Sequence, residues 1–197
     1  MDNEYITVKK WYDDNVDLYT SKSALLLHDQ LSYFISKLPS GGKILDIGCG
    51  PGHDTEYFSK KGFDAIGVDF SSKMIQFSKN TRKFGEFKKI DILDLDKYFT
   101  ANCFNGIWSS SSITHLKKND IVKALKQIKR IVLPKSPVVI IVKKRTKRKL
   151  RKNKILFNEF YKKDIQEYCK KSGLFIKSFQ TFKALNMEWF FIHTEKR

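Results

Sequence analysis

The chain has 197 residues, 41% hydrophobic and 14% aromatic, which is enough apolar material for one packed domain and too much for a disordered chain. Its 38 Lys and Arg against 21 Asp and Glu give a net charge of +17, a balance that permits a polyanionic partner without requiring one. The longest uninterrupted apolar run, Val138 to Val142, falls far short of the roughly 20 residues a membrane-crossing helix needs, and the polar start MDNEYITVKKWYDD lacks a signal-peptide core, so a cytoplasmic location without membrane insertion is expected.

Residues 4–37 predict one or two amphipathic helices. Gly41-Gly42 opens and Gly48 closes a short strand, Lys43-Ile44-Leu45-Asp46-Ile47. A helix over about 53–61 stops at Gly62, where a left-handed cap belongs. Asp64 to Val68 forms the second strand, and Ser71-Ser72 caps a helix running to about Lys83. Phe87 to Ile90 is a third strand and Gly106-Ile107-Trp108 a fourth. Ile121, Val122, Leu125, Ile128 and Val132 recur at helical spacing until Pro134 and Pro137 stop the helix. Val138 to Val142 is the fifth strand. A helix near 161–171 ends at Gly173, and two strands at 174–182 and 188–194 pair antiparallel, because no crossover helix fits between them. This alternation predicts an α/β fold in three layers: a doubly wound, mostly parallel sheet with helices on both faces.

Cys49, Cys103 and Cys169 stand far apart with no CxxC pair, so they read as reduced thiols rather than a disulfide framework or zinc site. Residues 143–154 hold nine of the basic residues and no acid; without them the net charge is +8. Of the basic residues 32 are Lys and six Arg, whereas phosphate and base recognition favours the planar Arg fork.

The chemistry concentrates in Ile44-Leu45-Asp46-Ile47-Gly48-Cys49-Gly50-Pro51-Gly52-His53. Ligands of an open parallel sheet sit at the carboxyl ends of its strands, and a glycine-rich turn there lets backbone N–H groups reach a ligand. The loop is G-x-G-x-G, not the dinucleotide G-x-G-x-x-G. Asp46 would repel a pyrophosphate but suits a ligand bearing an ammonium and a sulfonium. Asp69 ends the second strand, where an acid accepts both ribose hydroxyls of either ligand class.

ILDIGCGPGHDTEYF and GVDFSSKMI resemble the first two motifs of class I S-adenosylmethionine-dependent methyltransferases. Asp91-Ile92-Leu93-Asp94-Leu95 is similar to that family's adenine-contacting motif, and Gly106 to Leu116 to its fourth-strand motif. The resemblance implies a seven-stranded sheet with an antiparallel C-terminal strand. It implies one domain over 1–197: a helical cap (1–40), a cofactor-binding core (41–145), and an acceptor-side loop, last helix and hairpin (146–197).

Carried over, Asp46 would hold the methionine ammonium of S-adenosyl-L-methionine, and Gly48, Cys49, Gly50 and Gly52 would form the loop along the methionine and ribose. Asp69 would take the ribose diol with Phe70 against the adenine, Asp91 the adenine amino group, and the Ile92 backbone the ring. Ser109 would face the methionine end through its carbonyl. Tyr12 and Tyr19, in YDDNVDLY, match tyrosines that close over the cofactor. Asn105 stands where many relatives have Asp, a departure expected to affect turn geometry.

The product would be S-adenosyl-L-homocysteine. His115 is the candidate general base for an N or O acceptor, against the plainer reading of a structural hydrogen-bond partner. Trp189 reads as core packing or as an edge of the acceptor pocket. No metal site is expected. A small-molecule acceptor is favoured. The alternative is an RNA such as tRNA, gripped through Lys143, Lys144, Arg145, Lys147, Arg148, Lys149, Arg151 and Lys152. A non-catalytic cofactor-binding protein and a nicotinamide oxidoreductase are the remaining readings, the latter disfavoured by the loop spacing and Asp46.

Overall fold

The structure of the chain, a computed structural model, describes residues 3–20, 27–146 and 155–197. Seven strands form one sheet: β1 (Lys43–Ile47), β2 (Asp64–Asp69), β3 (Glu86–Lys89), β4 (Gly106–Ser110), β5 (Pro137–Lys143), β6 (Phe175–Ala184) and β7 (Met187–Glu195), in the order β3-β2-β1-β4-β5-β7-β6. Strand β7 runs antiparallel to both its neighbours, and the other pairings are parallel. The sequence expectation of a mostly parallel, seven-stranded sheet with an antiparallel last strand is met. The final hairpin pairs as expected, with β7 slotted inside the sheet and β6 at its edge.

The helices are α1 (Asn3–Asp14), α2 (Val16–Thr20), α3 (His28–Ile35), α4 (His53–Lys60), α5 (Ser72–Thr81), α6 (Lys118–Ile131) and α7 (Lys162–Ser172), with 3-10 turns at Ile92–Lys97 and Ile113–His115. The N-terminal region thus contains three described helices where one or two were expected. Helix α6 forms because Ile121, Ala124, Leu125, Ile128 and Ile131 share one stripe, all buried against the sheet. Ser71 caps α5 by accepting the Met74 N–H at 3.1 Å. Gly173 ends α7 in the left-handed region at φ 75°.

Strands β1, β4 and β5 are buried on both faces, as central parallel strands must be when helices cover both sides. One face joins Leu45, Ile47, Val68, Ile107 and Ile140 to α6 and α7. The other joins Ile44, Trp108, Val139 and Ile141 to Phe34 of α3 and Phe58 of α4. Asn105 ties β4 to β1: its Oδ1 accepts the Lys43 N–H, and its own N–H donates to the Lys43 carbonyl, both at 2.8 Å. Strand order reverses between β1, whose chain continues to β2, and β4 on its other side. Such a reversal opens a crevice at the carboxyl ends of the two strands.

Candidate functional site

The crevice floor is the bend after β1. Gly48 takes φ 72° and Gly50 φ 50°, conformations costly for a side-chain-bearing residue. Gly48 also packs so closely that a Cβ there would lie 2.5 Å from Ser112 Cβ. The Gly48 and Cys49 N–H groups both donate to the Val68 carbonyl, at 2.8 and 3.0 Å, which locks the bend against β2. At Gly50, by contrast, the nearest neighbour of an added Cβ would be Tyr19, 3.8 Å away.

Two buried carboxyls flank the bend. Asp46 is 2% exposed, and its Oδ2 accepts the Thr55 hydroxyl at 2.6 Å. Burial, reinforced by the Asp54 charge, pushes its pKa well above the carboxylate range. Asp69 is 7% exposed; Oδ2 accepts the Gly50 N–H at 3.0 Å and Oδ1 the Ser71 N–H at 2.8 Å. Burial lifts Asp69 to about 6, against the opposing pull of those two donors. Asp54, in the first turn of α4, is likewise raised to about 6 by burial, while its Oδ2 accepts the Trp108 indole N–H at 2.8 Å. Asp46 and Asp69, held out of water, and the half-buried Asp54 keep acceptor capacity for a cation or hydroxyl donors.

The opposite wall is the end of β4. Strand β4 runs two residues beyond the expected Trp108, to Ser110, and the turn that follows starts with Ser111 and Ser112. Ser111 has φ 60°, a strained conformation for a non-glycine residue. The turn leads into His115, which is 6% exposed. Its Nδ1 lies 2.9 Å from the Leu156 carbonyl and its Nε2 2.9 Å from the Tyr12 hydroxyl. A carbonyl only accepts, so Nδ1 carries the proton and Nε2 accepts from Tyr12. Burial lowers the His115 pKa, keeping the ring neutral. Asn158 secures the segment around Leu156 by donating its side-chain N–H groups to the Thr114 and Leu116 carbonyls, at 3.0 and 2.6 Å. Phe157 thereby stands edge-on to His115, 5.4 Å between ring centroids.

Helix α1 roofs the crevice. Tyr5, Val8 and Tyr12 fall at i, i+3 and i+7, one face of a helix, and Val8 is fully buried. The Tyr5 hydroxyl meets Asp91 Oδ1 and Oδ2 at 3.0 and 2.9 Å, and its ring stacks on Phe70 at 5.6 Å and 19°. Asp13, at the other end of α1, accepts the Ser71 hydroxyl at 2.6 Å and the Lys73 N–H at 3.2 Å. Asp91 has a further partner in the Leu93 N–H at 2.9 Å.

Beneath this roof lies a cavity of about 180 Å³ bounded by Tyr5, Tyr12, Tyr19, Asp69, Phe70 and Ile92, with His115 at one end. It meets, along Gly48, Gly50, Tyr12 and Tyr19, a cleft of about 690 Å³ that contains Asp46, Cys49 and Asp54. Tyr12, Tyr19, Asp46, Gly48, Cys49, Gly50, Asp69, Phe70, Ile92 and His115 therefore come together. Three other expected residues take up places around them. Gly52 begins α4 and packs on Phe87. Asp91 caps the turn at Ile92–Lys97 while bound to Tyr5. Ser109 is buried in β4 with its hydroxyl paired to that of Ser112.

Tyr5 and Phe157 escaped the sequence reading, which gave a role to Ser109 but none to Ser110, Ser111 or Ser112, and Trp189 both packs in the core and borders both spaces. The Tyr5–Tyr12 spacing was the available signal. Among the described residues no group of three or more His, Cys, Asp or Glu is placed to hold a metal, and no helix is long and apolar enough to cross a membrane.

Of the basic run, Lys147, Arg148, Lys149, Arg151 and Lys152 lie outside the described residues. The other three are engaged. Lys143 pairs with Glu159 at 2.7 Å, Lys144 with Glu188 at 3.1 Å, and Arg145 lies over the Tyr161 ring at 5.3 Å.

Residues 44–135 match the family described as a methyltransferase domain. The putative methyltransferase YqeM of Bacillus subtilis (strain 168) is 28% identical over 130 residues, 62% of this chain and 51% of that protein; the chain spans about half the length of the curated relatives it matches. Among solved structures, the 1,6-didemethyltoxoflavin-N1-methyltransferase of Burkholderia thailandensis, with its acceptor and S-adenosylhomocysteine bound, superposes with a TM-score of 0.78 at 18% identity, covering 98% of this chain and 86% of that one. The [4+2]-cyclase SpnF superposes with a TM-score of 0.75 at 14% identity, covering 98% and 96%. Similarity at that level establishes the architecture and leaves chemistry to the site.

Proposed function

We propose that this chain, which has the fold of the class I S-adenosylmethionine-dependent methyltransferases, binds S-adenosyl-L-methionine in its crevice and moves the methyl group to an N or O acceptor on a small molecule. The observation that carries this reading is the pair of buried carboxyls, Asp46 and Asp69, on either side of a bend whose Gly48 and Gly50 take positive φ and border both spaces.

The residues present fit the cofactor. Asp46 would take its ammonium and Asp69, whose oxygens each keep a free lone pair, its ribose hydroxyls. Phe70, Ile92 and Asp91 would receive the base, and there Tyr5 is already in place: its ring covers Phe70 and its hydroxyl engages Asp91. Binding would require Tyr5 to yield those partners. When bound, the cofactor supplies an electrophilic methyl group on a sulfonium.

The protein's share is to bring the acceptor into line and exclude water, which can account for most of the acceleration of a displacement. Tyr12 and His115 add proton transfer. The Tyr12 hydroxyl donates to His115 Nε2, so it can pass its proton there while taking one from the acceptor. Neutral His115, with Nδ1–H fixed on the Leu156 carbonyl, is the correct tautomer to receive it.

A small-molecule acceptor is supported by the toxoflavin precursor bound to the Burkholderia relative, and by the engagement of Lys143 and Lys144 with acidic partners. The test is incubation of the intact chain with methyl-labelled cofactor and separated metabolite and RNA pools. Label in the metabolite pool is expected. Label confined to RNA would reassign the acceptor, and none in either pool, with cofactor bound, would make the chain a cofactor-binding protein without turnover.

A further inference from the structure

The large cleft is lined by polar groups, among them Asp46, Asp54, Ser110, Ser111 and the glycine bend, and by the apolar side chains Trp11, Leu27, Ile155, Phe157, Met187 and Trp189. Phe157 and Trp189 also border the smaller cavity, whereas Trp11, Leu27, Ile155 and Met187 line the cleft alone. The Trp189 indole N–H already donates to the Ala184 carbonyl at 3.2 Å, which leaves the ring as apolar surface. Lys143 is the one Lys or Arg among the described lining residues, and Glu159 holds it at 2.7 Å. An anionic ligand would find no free cation among these lining residues and would face the carboxyls of Asp46 and Asp54.

The rim carries a second, independent signal. Leu185 and Asn186 form the two-residue turn between β6 and β7, both with positive φ, 50° and 57°. Such turns ordinarily carry Asn, Asp or Gly, and leucine there is strained. Leu185 nevertheless stands 58% exposed while lining the cleft. Leu185 thus adds exposed apolar surface to the aromatic-lined cleft, surface that an apolar ligand would cover.

Resting on the methyltransferase reading, we infer that the acceptor is an uncharged, ring-bearing apolar molecule, held between Trp189, Met187 and Leu185 with one nucleophilic hydroxyl or amine turned toward Tyr12. The cleft, about 690 Å³ including the part lined by Asp46 and the glycine bend, has room for a ligand of this kind beside the cofactor.

The test is calorimetric titration of the intact chain, saturated with S-adenosylhomocysteine, against a matched pair of probes: 2-naphthol and 2-naphthyl phosphate, which share a ring system and differ in charge. Binding of 2-naphthol at least about tenfold tighter than the phosphate is expected. Met187→Glu, and independently the exposed Leu185→Asp, should weaken 2-naphthol by about tenfold each while leaving S-adenosylhomocysteine affinity unchanged. Equal or tighter binding of the phosphate, no binding of 2-naphthol, or indifference to both substitutions would overturn the inference while the cofactor reading stood. Tight tRNA binding that displaced 2-naphthol would overturn it in favour of a polyanionic acceptor. Failure of S-adenosylhomocysteine itself to bind would remove the cofactor reading, and this inference with it.

Discussion

Asp69 is where electrostatics and the proposed cofactor site meet. Its folded pKa of about 6 exceeds the ordinary 3.8, so between those values the native state holds a proton that the unfolded state has lost. Stability therefore falls as pH rises from about 4 to about 6 and levels off above it, the reverse of the usual salt-bridged carboxylate. Asp54, also raised to about 6, adds to the same slope. Denaturation midpoints across that window should decline in the wild-type chain and decline less in Asp69→Asn. Ligand binding should run the other way: affinity for S-adenosylhomocysteine, whose ribose hydroxyls would donate to the ionised Asp69, should climb as pH passes about 6. At Gly48, Gly48→Ala forces a Cβ to 2.5 Å from Ser112 at φ 72°. Chemical denaturation should show a loss of at least roughly 1–3 kcal/mol. Tyr12→Phe breaks the bond to His115 Nε2; kcat should fall by about 10²-fold or more, while S-adenosylhomocysteine affinity changes by less than about tenfold.

Asp46 and Asp69 were legible because strand ends can be read from short apolar runs bounded by glycine, and an acid at such an end faces the crevice by topology alone. The pairing of Tyr5 with Asp91 was not legible. It joins residues 86 apart in sequence, and an aromatic at helical spacing in an amphipathic stretch reads equally well as core.

At the scale of elements, α1 is a strap tied at three points: Tyr5 to Asp91, Tyr12 to His115, and Asp13 to the start of α5. Two of those ties engage groups that the proposed reaction uses. Tyr5→Phe keeps the ring on Phe70 and removes the hydroxyl from Asp91, so stability should drop by about 1 kcal/mol while S-adenosylhomocysteine binds severalfold tighter. Opposite signs in a thermal melt and a titration would distinguish competition for Asp91 from simple structural support. Helix α6 and strand β5 were legible in outline because one has a clean apolar stripe and the other is buried on both faces. Strand β4 was read too short: Ser109 and Ser110 are polar, and only pairing with Ile140 and Ile141 makes them strand. That shift moved the wall of the site from Ser109 to Ser110–Ser112.

For the whole molecule, a chain of net charge +17 keeps an acidic crevice at its centre, where Asp46, Asp54 and Asp69 lie together. The mostly parallel sheet covered on both faces, and a site at the carboxyl ends of its strands, followed from the β/α rhythm, since parallel strands require covered crossovers; the strand order with its reversal between β1 and β4 is seen only in the structure. The insertion of β7 between β5 and β6 did not follow either, because an antiparallel hairpin can join a sheet by either strand. The most direct measurement is calorimetric titration of the intact chain with S-adenosylhomocysteine near neutral pH, beside folded Asp69→Asn. A saturable one-to-one isotherm, weakened about a hundredfold in the variant, is predicted from the loss of hydrogen bonds to a charged group. No heat in the wild-type chain, or equal affinity in the variant, would contradict it.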